Sequence, residues 1–292
     1  MNFLKEFLSS LKMLEVEEIL DLIFYRPLAF LFVKIVYRTP ITPNQVTWLA
    51  MLLGIIAGIL FALGTSSSLL LGAILLILYD ILDCSDGQLA RLQNSGSLTG
   101  RIIDGFADYA VAVATYLGIG IGFASNTASP GFYWIMTAFA GASNAVHSLT
   151  LDYYRNQFLD YALDRKGILS DDLQVYETEY KRLVANRTYN LDRLLIWIYL
   201  KYSRLQIKFS SHETVVDKKY DAADYYKKNK LLIHLWTYIG PTTELTFMII
   251  CAFLHRWDIF LWGMISVANM YAIGLYLYQR RVNASLIKAN VS

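Results

Sequence analysis

The sequence predicts an all-α, polytopic membrane protein, and three observations lead to this prediction. Of its 292 residues, 55% are hydrophobic and only 17% are charged, which is typical of membrane proteins. A bilayer-spanning helix needs roughly 20 apolar residues. The sequence contains six candidate spans, at 46–64, 69–82, 102–123, 132–151, 231–254 and 259–278. Because the second stretch is short, we expect its helix to continue into the acidic residues that follow.

The first 38 residues mix Lys, Glu and aromatic side chains and lack the apolar core of a cleavable signal peptide. We expect residues 1–38 to form an amphipathic helix that lies at the membrane interface. Where the first span begins, Pro43 suits the first helical position and Thr42 suits the cap. Within the third span, Gly118, Gly120 and Gly122 indicate close packing between helices.

The distribution of Lys and Arg predicts the orientation of the spans. Of the 26 basic residues, only Arg256 lies in the loops on one side of the predicted bundle. We therefore expect a multi-pass protein of the cell membrane with cytoplasmic N- and C-termini. The acidic stretch after the second span then faces the cytoplasm as well.

Five segments follow from this pattern. They are the interfacial helix at 1–38, four spans at 39–164, a helical cytoplasmic insertion at 165–230, two spans at 231–281 and a cytoplasmic tail at 282–292. The insertion carries 14 Lys and Arg against 9 Asp and Glu. It is interpreted either as a basic face near anionic lipid head groups or as a lid over an active site.

The charged residues between the second and third spans form two stripes. At about 100° per residue, one face of the second helix collects several of them. These are Asp83, Asp86, Gly87, Ala90 and Arg91. The stripe on the next helix has a spacing of four. It consists of Gly100, Asp104 and Asp108. The loop between the two helices is short, so we expect the stripes to meet.

Four carboxylates that meet in a low-dielectric pocket repel one another unless a cation joins them. Oxygen ligands favour Mg²⁺, Mn²⁺ or Ca²⁺, and four carboxylates suffice for two ions that share ligands. Because Mg²⁺ commonly binds substrate phosphates, the pattern predicts a diphosphate-containing substrate. The small residues Gly87, Ala90 and Gly100 leave room for it, Arg91 suits a phosphate, and Ser97 offers a hydroxyl.

A proton or ion pathway and a set of structural salt bridges both fit the acidic stretch less well than a metal site. A pathway gives no reason for the Gly, Ala and Arg spacing, and salt bridges need more cations than Arg91 and Arg101 provide. The two cysteines, Cys84 and Cys251, lie in different spans and are interpreted as packing residues. Asp80 shares the face of Asp83 and is left without a role.

The acidic stretch resembles the complete signature of the CDP-alcohol phosphotransferases, also called CDP-alcohol phosphatidyltransferases. The matching pattern is Asp83-x-x-Asp86-Gly87-x-x-Ala90-Arg91, eight residues, then Gly100-x-x-x-Asp104-x-x-x-Asp108. The resemblance covers residues 39–281, although the insertion at 165–230 is longer than in many members. It implies a six-helix bundle that usually forms a homodimer. It also implies that the protein transfers a substituted phosphoryl group from a CDP-linked donor to an alcohol and releases CMP.

The resemblance also implies roles for individual residues. Two divalent ions, Mg²⁺ or Mn²⁺, would be held by Asp83, Asp86 and Asp104 with help from Asp108, which is also the implied general base. The implied nucleotide contacts are Asn44, Thr47, Gly87, Ala90, Arg91, Ser97 and Gly100. The implied partners are a membrane lipid, a CDP-linked donor and an alcohol acceptor, and no nucleic acid is expected.

The substrates stay open. The donor is either CDP-diacylglycerol with a polar alcohol as acceptor, which we favour, or a CDP-linked small alcohol with a lipid or soluble acceptor. Arg155 resembles a position that binds an acceptor phosphate, or else is an interfacial arginine. Glu244 either contacts acceptor hydroxyls or joins two helices. An intramembrane Mg²⁺-dependent prenyltransferase is a distant alternative, and a non-catalytic scaffold is disfavoured by the intact signature.

Overall fold

The computed structural model describes residues 3–11, 15–163, 168–185, 191–209 and 220–289. Within these ranges the regular structure is helical and contains no strand, which confirms the all-α prediction. The α-helices are α1 (Phe3–Ser10), α2 (Arg26–Val36), α3 (Pro43–Leu63), α4 (Ser66–Gln93), α5 (Leu98–Gly122), α6 (Pro130–Ala162), α7 (Ile168–Ala185), α8 (Leu191–Phe209), α9 (Ala222–Trp236), α10 (Pro241–Phe253), α11 (Trp257–Trp262) and α12 (Asn269–Ala289).

Several helices are long and apolar enough to cross a membrane. In the described part of the chain four qualify, at Pro43–Leu63, Ser66–Gln93, Leu98–Asn126 and Trp257–Leu286. Large apolar side chains such as Leu52, Ile59, Val113 and Leu117 remain exposed on their outer faces. These features fit a membrane protein, and the count of six spans stays a prediction.

The sequence sets where α3 and α4 begin and end. Thr42 accepts a hydrogen bond from the Gln45 backbone N–H while the Gln45 side chain accepts one from Thr42, with Pro43 in the first turn, as predicted. Thr65 and Ser68 cap α4 in the same way. Helix α4 continues to Gln93, so the acidic residues after the second apolar stretch are helical, as expected.

Two predicted segments are divided in the structure. The stretch at 231–254 is not one helix: α9 ends at Trp236, a 3₁₀ turn follows at Thr237–Ile239, and α10 starts at Pro241. Proline lacks an N–H and disfavours a helical conformation at the preceding residue, which explains the extended Gly240. The N-terminal segment forms α1 and then a π-helical turn, Asp21–Tyr25, that leads directly into α2.

Helix α3 packs against both α4 and α5 and so carries the two helices of the signature. Its contact with α5 is very close. A Cβ atom placed on Gly118 would lie 2.1 Å from the backbone oxygen of Gly58, and one placed on Gly58 would lie 2.5 Å from the Ala114 backbone. Only glycine permits this approach, so the predicted packing role of Gly118 is confirmed.

Replacing Gly118 by alanine is expected to separate α3 from α5 and to lower the thermal unfolding midpoint. Overpacking typically costs about 1–3 kcal/mol. Gly105→Ala is the matched control. Gly105 lies on the same helix as Gly118, but a Cβ placed on it would meet no neighbouring atom within 4 Å. The midpoints, measured in detergent, are expected to fall only for Gly118→Ala. Equal midpoints for the two variants would contradict the packing account.

The predicted insertion contributes α7, α8 and the first turns of α9, while 165–167, 186–190 and 210–219 lie outside the described residues. Tyr176 of α7 donates a hydrogen bond to the Leu98 carbonyl at the start of α5. Tyr176, Ile196 and Leu200 are buried against one another, and Leu98 packs beside them. The insertion therefore contacts the start of α5, two residues before Gly100 of the second stripe.

Candidate active site

Three aspartates of the signature converge in the structure. Asp83, Asp86 and Asp104 each offer a carboxylate oxygen within 4.8 Å of the others. Asp86 is buried and the other two are half-buried. One buried oxygen of Asp83, Oδ1, has no hydrogen-bond partner among the described residues. An all-oxygen donor set with an unsatisfied buried oxygen fits a hard divalent cation.

Helix α3 fixes the orientation of Asp86. The hydroxyl of Thr47, which is buried on the first turns of α3, donates a hydrogen bond of 2.5 Å to Asp86 Oδ2. A ligand carboxylate that accepts such a bond keeps one rotamer and leaves its other oxygen for a cation. Thr47, predicted as a nucleotide contact, is therefore placed behind a predicted metal ligand.

The fourth aspartate, Asp108, lies beside the cluster of the other three and is exposed. Its carboxylate lies close enough to Asp83 for the two charges to act on each other. Its Oδ1 accepts a second hydrogen bond, of 2.8 Å, from the buried hydroxyl of Tyr79. The sequence argument missed Tyr79. Its position four residues before Asp83, on the same face of α4, is the signal that could have identified it.

The predicted nucleotide-binding residues frame the same end of α4. Arg91 donates a hydrogen bond from Nε to the Ser10 carbonyl at the end of α1, and Gly87 leaves room for its guanidinium. Ala90 lies on the last turn of α4 and its carbonyl accepts a hydrogen bond from Ser95. Ser97 caps α5 by accepting from the Gly100 N–H at 2.9 Å.

Gly100 allows a close contact between α3 and α5. A Cβ at this position would lie 2.7 Å from Asn44 Oδ1 and 2.9 Å from Ser97 Oγ. The predicted nucleotide contacts Asn44, Ser97 and Gly100 are therefore adjacent at the start of α5. Asp104 lies one turn further along the same helix.

The two predicted acceptor residues already have partners. Arg155 donates from Nε to the Val16 carbonyl at 3.0 Å and pairs with Asp152. Glu244 accepts from Asn144 through one oxygen, and its other oxygen lies 2.5 Å from His147 Nδ1. These contacts place Glu244 in a buried network between α6 and α10, as the helix-joining interpretation expects.

A second acidic cluster lies beside the first and was not predicted. Asp21, Asp80 and Cys84 are buried and bring their side-chain oxygen and sulfur atoms within 4.8 Å of one another. Asp21 accepts from the Thr242 hydroxyl and from the Cys84 thiol. The cluster joins α4 to the N-terminal segment and to α10. Only Asp80, three residues before Asp83, gave a sequence signal.

Glu18 completes this region at the N-terminus of α10. It accepts hydrogen bonds from the backbone N–H and the hydroxyl of Thr243. Burial, together with the negative charge of Asp21, raises the pKa of Glu18 from 4.5 to about 8, although Arg155 and the N–H groups of α10 oppose the change. Glu18 is therefore protonated near neutral pH and acts as a neutral capping group.

This raised pKa predicts a pH dependence of stability. Between about pH 5 and 8 the folded protein binds a proton at Glu18 that the unfolded chain has released, so stability falls as the pH rises. Glu18→Gln keeps the acceptor oxygen and is expected to flatten the fall of the thermal midpoint across this interval. Glu15→Gln, in the same segment, is the control. An unchanged slope in Glu18→Gln would contradict the assignment.

Comparison with known proteins agrees with the geometry. The family model for CDP-alcohol phosphatidyltransferase matches residues 40–160, which contain α3 to α5, nearly all of α6 and every position of the signature. A search of curated proteins found no match to the chain. The converging aspartates lie inside the matched segment, and the second acidic cluster combines residues inside it with residues outside it. The chain thus carries a CDP-alcohol phosphatidyltransferase domain at residues 40–160.

Proposed function

We propose that the protein transfers a phosphatidyl group from CDP-diacylglycerol to a polar alcohol and releases CMP, as a step of phospholipid synthesis. The observation that carries this proposal is the convergence of Asp83, Asp86 and Asp104 within the matched domain. The same reaction with a CDP-linked small alcohol as donor and a lipid or soluble acceptor is the second candidate.

In this proposal the converged carboxylates hold two divalent ions, Mg²⁺ or Mn²⁺. Asp83, Asp86 and Asp104 supply oxygen ligands, and Asp108 supplies one from the next turn of α5. When bound, the ions neutralise the diphosphate and stabilise CMP as it leaves. The hydrogen bond from Thr47 to Asp86 and the unsatisfied oxygen of Asp83 support this assignment.

Asp108 acts as the general base. It takes the proton of the acceptor hydroxyl while the hydroxyl oxygen forms a bond to the phosphorus that carries the transferred group. The bond from this phosphorus to the oxygen of CMP breaks, and CMP leaves with that electron pair. The Tyr79 hydroxyl holds the Asp108 carboxylate in place, and the exposure of Asp108 leaves its remaining oxygen open to the acceptor.

The nucleotide is proposed to lie along the end of α4 and the start of α5. Gly87, Ala90 and Gly100 keep this surface open, and Asn44, Ser97 and Arg91 provide polar groups at its edge. The distribution of Lys and Arg supports a cytoplasmic active site and cytoplasmic termini. A homodimeric assembly completes the proposal, and its support is the resemblance alone.

The test is CMP release by the purified protein with Mg²⁺ and CDP-diacylglycerol, in parallel reactions with inositol, inositol phosphate, glycerol phosphate, serine or no acceptor. Acceptor-dependent CMP and a lipid product of matching mass are the expected result. CMP formed only with a CDP-linked small alcohol and diacylglycerol would replace the favoured donor by the second candidate. No CMP with either donor would overturn the proposal.

A further inference from the structure

The second acidic cluster is buried and carries an excess of negative charge. Asp80 is 5% exposed, and the negative charges of Asp21 and Asp108 act on it, opposed by the positive charge of Arg26. Arg26 is already paired at 2.5 Å with Glu17, itself buried. The nearby cation therefore does not neutralise Asp80.

An unsatisfied oxygen in this cluster points to a ligand. Oδ2 of Asp80 is buried and has no hydrogen-bond partner within the part of the chain that the structure describes. Asp21 accepts hydrogen bonds from Thr242 and Cys84 through its Oδ1 atom. A buried carboxylate oxygen without a donor is costly. A cationic group with N–H donors would satisfy it.

A protonated amine fits these donors and acceptors better than a metal ion. The side-chain oxygen and sulfur atoms of the three groups lie within 4.8 Å of one another, so a single nitrogen placed among them could reach all three at hydrogen-bonding distance. Mg²⁺ and Ca²⁺ prefer an all-oxygen shell, whereas one group here is the Cys84 thiol. An ammonium has three N–H donors, which can donate to the two carboxylates and to the sulfur of Cys84.

The position of the cluster relates it to the proposed reaction. Asp80 precedes Asp83 by three residues, a separation of about 4.5 Å along α4. An amine bound at Asp80 can therefore belong to a molecule whose oxygen lies at the Asp83 cluster, provided that the molecule is short. Asp21 and Thr242 lie outside the matched residues 40–160, whereas Asp80 and Cys84 lie inside them, so the cluster combines matched and additional segments of the chain.

We propose that Asp80 and Asp21 bind the protonated amine of a short amino alcohol, one of the two groups that the transferase joins. This inference rests on the proposed function. The amino alcohol is either the free acceptor, with CDP-diacylglycerol as donor, or the alcohol carried by the CDP donor, with diacylglycerol as acceptor. In both cases the two carboxylates are expected to favour an alcohol that carries a protonated amine over a neutral alcohol.

The test measures CMP release in two arms. The first combines CDP-diacylglycerol with 2-aminoethanol, serine or the neutral ethylene glycol, and the second combines diacylglycerol with CDP-2-aminoethanol or the neutral CDP-glycerol. In one arm the amine substrate is expected to exceed its neutral counterpart by about 100-fold in kcat/KM. Asp80→Asn and Asp21→Asn are expected to reduce this preference at least about tenfold, mainly by raising KM.

Asp160→Asn is the matched control. The Oδ1 atom of Asp160 is also buried without a partner in the described residues, but Asp160 lies on α6 and is not a member of the cluster. It is expected to keep the wild-type preference. Because Asp80→Asn could fail to fold, its thermal midpoint is recorded with and without 2-aminoethanol, which is expected to raise the midpoint of the wild type and of Asp160→Asn only.

The outcomes separate this inference from the proposed function. CMP from neutral substrates at the same efficiency as from amines would overturn the inference while the transferase proposal stands. The inference is also overturned if Asp80→Asn keeps the preference for amine substrates. It is overturned as well if Asp80→Asn changes only the Mg²⁺ concentration needed for half-maximal activity, because the cluster would then be a metal site. No CMP in any arm would contradict the proposed function itself.

Discussion

Asp108→Asn is expected to lower kcat by about 10³-fold or more while the protein still folds and binds nucleotide, because an amide cannot take the proton of the acceptor hydroxyl. Asp108 is suited to this role by its position beside Asp83 and by its exposure. CMP release under saturating donor and acceptor measures the loss. Binding of CMP to the variant, measured by calorimetry, checks that the nucleotide site is intact.

Tyr79→Phe provides a graded control for this assignment. It removes the hydrogen bond of 2.8 Å to Asp108 but keeps the carboxylate and most of the buried side chain. We expect a loss of about tenfold in kcat, since the base is present but less well oriented. Wild-type turnover in Asp108→Asn would disprove the general-base assignment. A larger loss in Tyr79→Phe than in Asp108→Asn would also contradict it.

Asp83→Asn is expected to have the second large effect, a loss of metal binding together with CMP release. The Oδ1 atom of Asp83 is the buried oxygen that lacks a partner, and the residue lies between Asp86, Asp104 and Asp108. Replacing a ligand carboxylate by a neutral amide is expected to weaken Mn²⁺ binding by at least about 100-fold. Titration with Mn²⁺, followed by electron paramagnetic resonance, measures this directly.

The control for Asp83→Asn is again Asp160→Asn, whose unpartnered oxygen stands alone on α6. It removes a half-buried carboxylate without removing a member of the acidic cluster. We expect Mn²⁺ to bind Asp160→Asn as it binds the wild type. Equal Mn²⁺ affinity in Asp83→Asn and the wild type would show that the converged aspartates are not the metal ligands.

The local geometry of the signature could be predicted from the sequence because helix periodicity fixes it. Residues three and four apart share a face, so Asp83 and Asp86 had to form one stripe and Asp104 and Asp108 another. The cap at Thr42 and Pro43 could also be predicted, because Thr is favoured at the N-cap of a helix and Pro at its first position. Tyr79 follows from the same periodicity once the stripe is extended by one turn.

The second acidic cluster could not be predicted, because its members lie far apart in the chain. Asp21 meets Asp80 only after the N-terminal segment packs along α4, and Thr242 arrives from α10. Periodicity relates residues within one helix and carries no information on such contacts. For the same reason the amphipathic pattern of residues 1–38 indicated an interfacial helix but not the burial of Glu18 and Asp21.

The break before α10 could have been predicted from the sequence, but only from one local signal. Hydropathy alone joins 231–254 into one span, since Leu, Ile and Trp continue on both sides of the interruption. The dipeptide Gly240-Pro241 is a turn signal that would have marked it. The partners of Glu244 on α6 depend on how three helices pack, and only the structure identifies them.

The most direct test of the central claim is whether the purified wild-type protein converts CDP-diacylglycerol and a polar alcohol into CMP and a phospholipid in a strictly metal-dependent way. We predict that CMP and lipid product appear in equal amounts with Mg²⁺, that chelation with EDTA abolishes both, and that added Mn²⁺ restores them. CMP release that continues undiminished in EDTA would contradict the role assigned to Asp83, Asp86, Asp104 and Asp108.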